Sequence, residues 1–345
     1  MSVASSAMAS GNAPILEVSG LSTHFKTPRG LLRAVDGVDL RIAPSEIVGI
    51  VGESGSGKSV LAQSILRVIP PTQLALATGS IQFAGADLMD LDEEAMRQLR
   101  GARIAMITQN PSTALNPVFR IRSQMLETWR FHPERQRTGV DAESRMLDLL
   151  AEVRLPAPKR VAASYPFELS GGMKQRVAIA MALMGEPDLL IADEPTTALD
   201  VTIQAQILDL IRHTRDTHGT AVILITHDLG VVARLCDSVA VMYAGRIVEY
   251  RPTRELFQDP RHPYTRGLLA SNPVFGRRMA SLNAMPGQPP DLLAMPAGCA
   301  FSPRCGQAVT RCSQDMPAII SLPGGYHHRC PVNEITPAVC SGDRP

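Results

Sequence analysis

The sequence predicts an α/β fold built on a buried parallel sheet, and three observations lead to this prediction. Short apolar stretches rich in β-branched residues recur along the chain, as expected of strands covered on both faces. These stretches are residues 47–51, 189–192 and 221–225. Patterns with helical spacing, such as residues 143–150 and 177–184, lie between them. A glycine-rich turn joins the first strand directly to a helical pattern.

That turn, residues 52–59, matches the phosphate-binding pattern G-x-x-x-x-G-K-[ST] at every fixed position. Its glycines let successive N–H groups point at an anion, and the following helix adds its positive end. Lys58 supplies a charge for the β- and γ-phosphates, and the Ser59 hydroxyl is placed to ligate Mg²⁺. An accidental glycine-rich connector is disfavoured by the flanking strand and helix. The residues predicted to bind a nucleoside triphosphate are Gly52, Ser54, Gly55, Ser56, Gly57, Lys58 and Ser59.

Composition sets the broad class. A chain of 345 residues suggests two domains, and 45% hydrophobic with 19% charged residues fits a globular protein. The net charge of +1 gives no electrostatic case for nucleic acid or anionic lipid. No apolar run approaches the ~18–20 residues that span a bilayer. Residues 1–13 lack the features of a secretory signal and suggest a disordered tail, so we expect a soluble intracellular protein.

Polar side chains follow three of the predicted strands. Asp193 and Glu194 end one strand, and because neighbours on a strand face opposite ways, one can hold Mg²⁺ while the other faces the γ-phosphate. Unpaired buried acids are costly, which favours a functional site. Gln109 follows the strand at 103–107 and could reach a metal or an attacking water. His227 follows residues 221–225, and taken alone a capping or core histidine is its simpler interpretation.

Two further features have a plain structural alternative. Ser170-Gly171-Gly172 at a predicted helix start forms a second anion-binding N-terminus, or simply an N-capped helix. Phe25, upstream of the glycine-rich turn, could stack on an adenine ring. Its spacing alone favours a half-buried strand residue.

Taken together, these segments resemble the ATP-binding subunit of ATP-binding cassette (ABC) transporters across residues 15 to about 250. The motifs that carry the resemblance are the Walker A loop at 52–59, the Q-loop glutamine Gln109, the signature at 169–172, the Walker B strand at 189–193, the D-loop at 198–200 and the switch histidine His227. The resemblance implies a P-loop NTPase core with an antiparallel β subdomain and a helical subdomain. It also implies that ATP and Mg²⁺ are bound.

The resemblance also implies a role for each site residue. Glu194 would be the general base, His227 would orient the attacking water, and Asp193, Ser59 and Gln109 would position Mg²⁺. Phe25 would stack on the adenine. Ser170, Gly171 and Gly172 would contact the γ-phosphate of the ATP held by the opposite cassette. Hydrolysis would therefore require two cassettes. Asp200 of the D-loop is also counted among the nucleotide-binding residues.

Segments outside this core resemble cassettes of oligopeptide, dipeptide and nickel importers. They are residues 109–117, 194–202 and the His-Pro-Tyr-Thr-containing segment 260–269. Asn110 departs from the Asp usual in those relatives. The resemblance implies ATP-driven import of di- or oligopeptides, with a second, paralogous cassette, two transmembrane permeases and a solute-binding protein. It places the chain on the cytoplasmic face of the cell membrane. A soluble ABC ATPase acting on nucleic acid or the ribosome is the alternative; a P-loop kinase would not need the signature.

Four of the six cysteines lie in a proline- and glycine-rich C-terminal stretch, at Cys299, Cys305, Cys312 and Cys330. In an intracellular protein such a group favours a metal site over disulfides. The tail resembles that of dipeptide-type cassettes carrying a [4Fe–4S] cluster, with zinc or unligated thiols as alternatives. Cys236 suggests an inert buried thiol. The predicted divisions are a nucleotide-binding domain at 14–254, its helical subdomain at about 110–180, and a small irregular domain at 255–345.

Overall fold

An antiparallel sheet forms the first part of the fold. In this computed structural model, residues 13–110, 114–131, 141–196, 200–271 and 285–332 are described. Strand β1 (Leu16–Thr27) pairs with β2 (Gly30–Ile42) on one side and with β4 (Leu74–Phe83) on the other. The short strand β5 (Ala86–Asp87) pairs with β4 and ends the sheet. The antiparallel β subdomain that the family resemblance implies is confirmed.

A second sheet places the strands in the order β11-β12-β10-β9-β3-β8-β7-β6. Its strands are β3 (Ile47–Val51), β6 (Ile104–Ile107), β7 (Leu189–Asp193), β8 (Ala221–Ile225), β9 (Ser238–Tyr243), β10 (Arg246–Pro252), β11 (Ile320–Ser321) and β12 (His327–His328). The five strands from β9 to β6 run parallel, and those from β9 to β11 pair antiparallel. The carboxyl ends of the parallel strands therefore meet at one edge.

Helices connect the parallel strands, and aspartates begin several of them. The helices are α1 (Lys58–Ile65), α2 (Glu93–Leu99), α3 (Ile121–Arg130), α4 (Ala142–Glu152), α5 (Pro158–Ala163), α6 (Gly171–Ala182), α7 (Val201–His218), α8 (Leu229–Leu235), α9 (Thr253–Gln258), α10 (Pro263–Ala270) and α11 (Thr310–Gln314). Asp92, Asp141, Asp200 and Asp228 each accept a backbone N–H in the first turn of their helix. The predicted helices after the glycine-rich turn and at 143–150 are confirmed as α1 and α4.

Strand β3 separates two hydrophobic cores. Its five residues are all buried, and alternate side chains point to opposite faces. Ile47 and Val51 join one core with α3 to α8, whereas Val48 and Ile50 join another with α1 and the antiparallel sheet. A strand that fills both cores explains why its sequence lacks any polar alternation.

The C-terminal residues are part of this architecture. Strands β11 and β12 extend the main sheet beyond β10, and Phe301 packs into the same core as Tyr243 and Tyr264. The predicted small irregular C-terminal domain is therefore not confirmed as a separate unit. Strands β11 and β12 have two residues each, too few to give a periodic signal in the sequence. Within the described ranges, no helix has the length and apolar character needed to cross a membrane.

We expect Leu149→Ala in α4 to lower the free energy of unfolding by about 2–5 kcal/mol, because it leaves a cavity in a closed core. The single tryptophan, Trp129, belongs to the same core. Urea unfolding followed by tryptophan fluorescence therefore reports directly on this region. The neighbouring exposed residue gives the control: Asp148→Ala should leave the midpoint nearly unchanged. Equal midpoints for both variants would contradict the packing described here.

Candidate functional site

The glycine-rich loop at the end of β3 has a backbone path that excludes side chains at two positions. A Cβ on Gly52 would lie 2.1 Å from the Met242 carbonyl oxygen, and one on Gly57 would lie 2.1 Å from that of Ala34. Gly57 also has φ +101°, which only glycine adopts readily. Glycine at positions 52 and 57 is thus required by the close approach of the neighbouring strands.

Lys58, the first residue of α1, turns back over this loop. Its Nζ donates to the carbonyl oxygens of Gly52 and Glu53, each at 2.9 Å. Burial lowers the pKa of this ammonium group, while the carboxylates of Glu194 and Asp193 act in the opposite direction. A partly desolvated cation at a helix N-terminus is suited to bind an anion.

Asp193 lies at the end of β7, 4% exposed, and faces the same helix start. The Ser59 hydroxyl hydrogen-bonds to its carboxyl, and burial raises the pKa of Asp193. The Oδ1 atom of Asp193 is buried without a hydrogen-bond partner. The Ser59 hydroxyl and the Asp193 carboxylate, with its unpaired buried oxygen, fit Mg²⁺. This ion takes few protein ligands and completes its shell with phosphates and water.

Glu194 lies at the centre of the predicted catalytic group. Gln109 Nε2 donates to Glu194 Oε2 at 2.9 Å, and His227 Nδ1 lies 3.6 Å from Oε1. The backbone of Glu194 has φ +47°, a conformation that costs a non-glycine residue about 1–3 kcal/mol. Its N–H donates to the Ile225 carbonyl oxygen at 2.9 Å, which fixes this turn. Gln109, Glu194 and His227, which follow β6, β7 and β8, thus lie close together.

The signature segment begins helix α6. Ser170 Oγ accepts the Met173 N–H at 3.3 Å, as its structural interpretation predicts. Sequence analysis missed Gln175 on this helix, which is 1% exposed and donates from Nε2 to the Pro195 carbonyl oxygen at 2.9 Å. Gln175 lies between Lys174 and Arg176, so the local sequence gave no signal that it is buried. This bond joins the signature helix to the turn that follows Glu194.

The other predicted nucleotide contacts lie on different elements. Phe25 is half-buried in β1, opposite Leu32 and Leu74. Asp200 caps α7 through the Ile203 N–H at 2.9 Å. The remaining D-loop residues, Ala198 and Leu199, and residues 1–12 of the predicted tail lie outside the described residues.

The four C-terminal cysteines lie near one another. The Cys299 N–H donates to the Cys312 carbonyl oxygen at 2.7 Å. Burial, together with the thiols of Cys312, Cys330 and Cys305, raises the pKa of Cys299 to about 11. Over the described ranges, no group of three or more His, Cys, Asp or Glu side chains is arranged to hold a metal ion. The iron–sulfur site predicted from the sequence is therefore not confirmed.

Cys236 follows the end of α8 rather than lying inside a helix, and it is buried as expected. Burial raises the pKa of its thiol well above the ordinary value. Such a thiol is a poor nucleophile.

Comparison with known families matches most of the chain. The ABC transporter family matches residues 35–197, and the family described as "Oligopeptide/dipeptide transporter, C-terminal region" matches residues 248–312. The chain is 48% identical over 328 residues to the Brucella ovis "Putative peptide import ATP-binding protein", covering 92% of this chain and 96% of that one. It belongs to the ATP-binding subunits of ABC transporters. As a member of this family it is an ATPase.

A second relative and several solved structures agree with this assignment. The Escherichia coli K12 "Probable D,D-dipeptide transport ATP-binding protein DdpD" is 47% identical, covering 92% of this chain and 95% of its own. The dimeric ATP-binding cassette MJ0796 in a post-hydrolysis state, bound to ADP and Pi, matches with a TM-score of 0.62 and 28% identity. That match covers 69% of this chain and 99% of the cassette's chain. These findings support a transporter ATPase over an ATPase acting on nucleic acid or the ribosome.

We expect Gly57→Ala to weaken ATP binding by about tenfold or more, because the added methyl meets the Ala34 carbonyl and the residue must keep a positive φ. Titration of the full chain with a fluorescent ATP analogue measures this effect. Gly306→Ala is the control, since a Cβ there has no atom within 4 Å and no strained φ. Unchanged binding by Gly57→Ala would show that the loop can bind nucleotide in another shape.

Proposed function

We propose that ATP hydrolysis by this chain powers the import of di- or oligopeptides across the cytoplasmic membrane. The observation that carries this proposal is the combination of an assembled ATP site with a C-terminal region of the oligopeptide/dipeptide type. Relatives named for peptide import that match over nearly their whole length support it. The chain would act from the cytoplasmic face of the membrane.

In the proposed reaction, a water oxygen attacks the γ-phosphorus, the bond to the β–γ bridging oxygen breaks, and the proton passes to the Glu194 carboxylate. Gln109 and His227 flank that carboxylate and would orient it and the water. Lys58 would bind the β- and γ-phosphates. Ser59 and Asp193 would hold Mg²⁺, with Gln109 nearby; this ion neutralises charge that develops on the phosphate oxygens.

We further propose that the active unit is a pair of cassettes. Ser170, Gly171, Gly172 and Asp200 would act on the ATP held by the opposite subunit, and Phe25 would stack on the adenine of its own. The exposure of Ser170 and Gly171 at a helix N-terminus supports a contact made between subunits. The proposed assembly adds a paralogous cassette, two permeases and a solute-binding protein. Within the chain, we propose a nucleotide-binding part at 14–254, including the helical segment near 110–180, and a C-terminal part at 255–345.

A tagged pull-down from native membranes in mild detergent tests the assembly. Recovery of two multi-span permeases, a second cassette and a solute-binding protein would support the importer, and candidate peptides can then be screened for stimulation of its ATPase. Recovery of ribosomal proteins or nucleic acid without a permease would overturn it and leave the ATPase chemistry intact.

We expect Glu194→Gln to bind ATP, to lose turnover by about 10²-fold or more, and to accumulate the closed dimer, because the amide cannot accept the proton of the water. Phosphate release and size-exclusion chromatography with ATP measure these effects. Glu152→Gln is the control, since this carboxylate is exposed on α4. Near-normal ATPase activity in Glu194→Gln would refute the assignment of the base.

We also propose that Cys299, Cys305, Cys312 and Cys330 form a ligand set for a [4Fe–4S] cluster, with zinc as the alternative. The proximity of the thiols around Cys299 supports this. The full chain purified anaerobically should then be brown and release acid-labile sulfide, and Cys312→Ser should lose both. Colourless protein with stoichiometric zinc would select the alternative; metal-free protein would refute both.

A further inference from the structure

Two residues of the C-terminal region contact the phosphate-binding loop at the same point. Glu53, the second residue of the loop, donates its N–H to the hydroxyl of Tyr264 at 2.9 Å. Its carboxylate accepts hydrogen bonds from both terminal nitrogens of Arg304, at 2.8 and 2.9 Å. The partners lie more than 200 positions along the chain from Glu53, so these are tertiary contacts between the loop and the C-terminal region.

Arg304 is held on every side by its surroundings. Its side chain is 5% exposed, its Nε donates to the Pro286 carbonyl oxygen at 2.9 Å, and one terminal nitrogen also reaches the Tyr243 hydroxyl at 3.2 Å. The guanidinium lies over the rings of Tyr243 and Phe301, 5.8 and 5.9 Å from their centroids. A buried arginine that pairs bidentately with one carboxylate fixes that carboxylate's position as well as neutralising it.

Tyr264 is positioned by the start of helix α10. The His262 imidazole accepts the Tyr264 N–H at 3.1 Å and caps this helix. The fully buried Glu249 carboxylate accepts the N–H groups of Arg261 and His262, at 2.8 and 2.9 Å. The Tyr264 ring packs against Tyr243 and Phe301, and this packing holds its hydroxyl next to the Glu53 N–H.

We infer that Tyr264 and Arg304 are positioning residues of the ATP site, which hold Glu53 and therefore the phosphate-binding loop in the shape that receives ATP. The carbonyl oxygen of the same Glu53 accepts from Lys58 Nζ, so the contact continues to the phosphate-binding lysine. A loop that is already held in its bound shape loses less conformational entropy when the ligand binds. The inference rests on this loop being the nucleotide site of the proposed function.

The test is ATP binding to the full chain, measured by titration calorimetry without turnover. We expect Tyr264→Phe to raise Kd by about threefold to tenfold, since one hydrogen bond to the loop is lost. Arg304→Gln should raise Kd by about tenfold or more, because it also leaves the Glu53 carboxylate unneutralised beside the phosphates. In the assembled transporter, KM for ATP should rise for both variants while kcat stays within about twofold of wild type.

The control is another ion pair that joins the same two regions away from the loop. Arg29 and Asp291 form an exposed contact at 3.0 Å, and Arg29→Gln should leave Kd unchanged. Arg304→Lys, which keeps the charge but loses the fork, should give an intermediate Kd. Adding Glu53→Gln to Arg304→Gln should recover only the part of the lost affinity that comes from the unneutralised carboxylate, because the bidentate pair that holds the loop is still absent; a general loss of folding would allow no recovery.

The outcomes separate the inference from the function on which it rests. Failure of the wild-type chain to bind ATP would overturn the proposed function. If the wild-type chain binds ATP and both Tyr264→Phe and Arg304→Lys have the same Kd as wild type, only the inference is overturned, even where the Tm of the variants is lowered. Tyr264 and Arg304 would then serve to anchor the C-terminal region.

Discussion

The structure depends on a loop whose backbone can carry no side chain at two of its positions. The loop after β3 passes so close to the carbonyl oxygens of Met242 and Ala34 that a Cβ at Gly52 or Gly57 would lie 2.1 Å from them. The Gly245 N–H also donates to the Ser56 carbonyl oxygen at 2.9 Å. The loop is thus held between the antiparallel sheet and the turn after β9. Because β3 lies between the parallel strands β9 and β8, this arrangement fixes the loop where the strands' carboxyl ends meet.

Burial opposes the charged forms of two groups at this edge, and in opposite senses. It lowers the pKa of Lys58 and raises that of Asp193. A phosphate anion near Lys58 and a cation near Asp193 would each favour the charged form. The phosphates and the Mg²⁺ of Mg–ATP would therefore be complementary to these two groups. Glu194 has a positive φ and accepts a hydrogen bond from Gln109.

Local sequence was sufficient for most of this site. The apolar runs of β3, β7 and β8 have one physical explanation, burial on both faces, and the residues after each strand must then converge. The roles of Phe25 and Ser170 could be suggested only by family resemblance, because within one chain each has a sufficient structural explanation. The strand-like ends at Ile320–Ser321 and His327–His328 could not be predicted, since two residues carry no periodicity. Gln175 was missed because its partner, the Pro195 carbonyl, lies on another element.

The His-Pro-Tyr segment illustrates why a motif needs its tertiary context. His262 caps α10, Pro263 occupies the first turn where no N–H is needed, and Tyr264 extends to the loop. The contact between helix α10 and the phosphate-binding loop explains each of these residue types, and none of them requires contact with a transported solute. The burial of Glu249, which accepts the N–H groups of Arg261 and His262, would be costly without them. The C-terminal region thus shares its core and its polar contacts with the nucleotide site, so a change in one is expected to reach the other through Glu53.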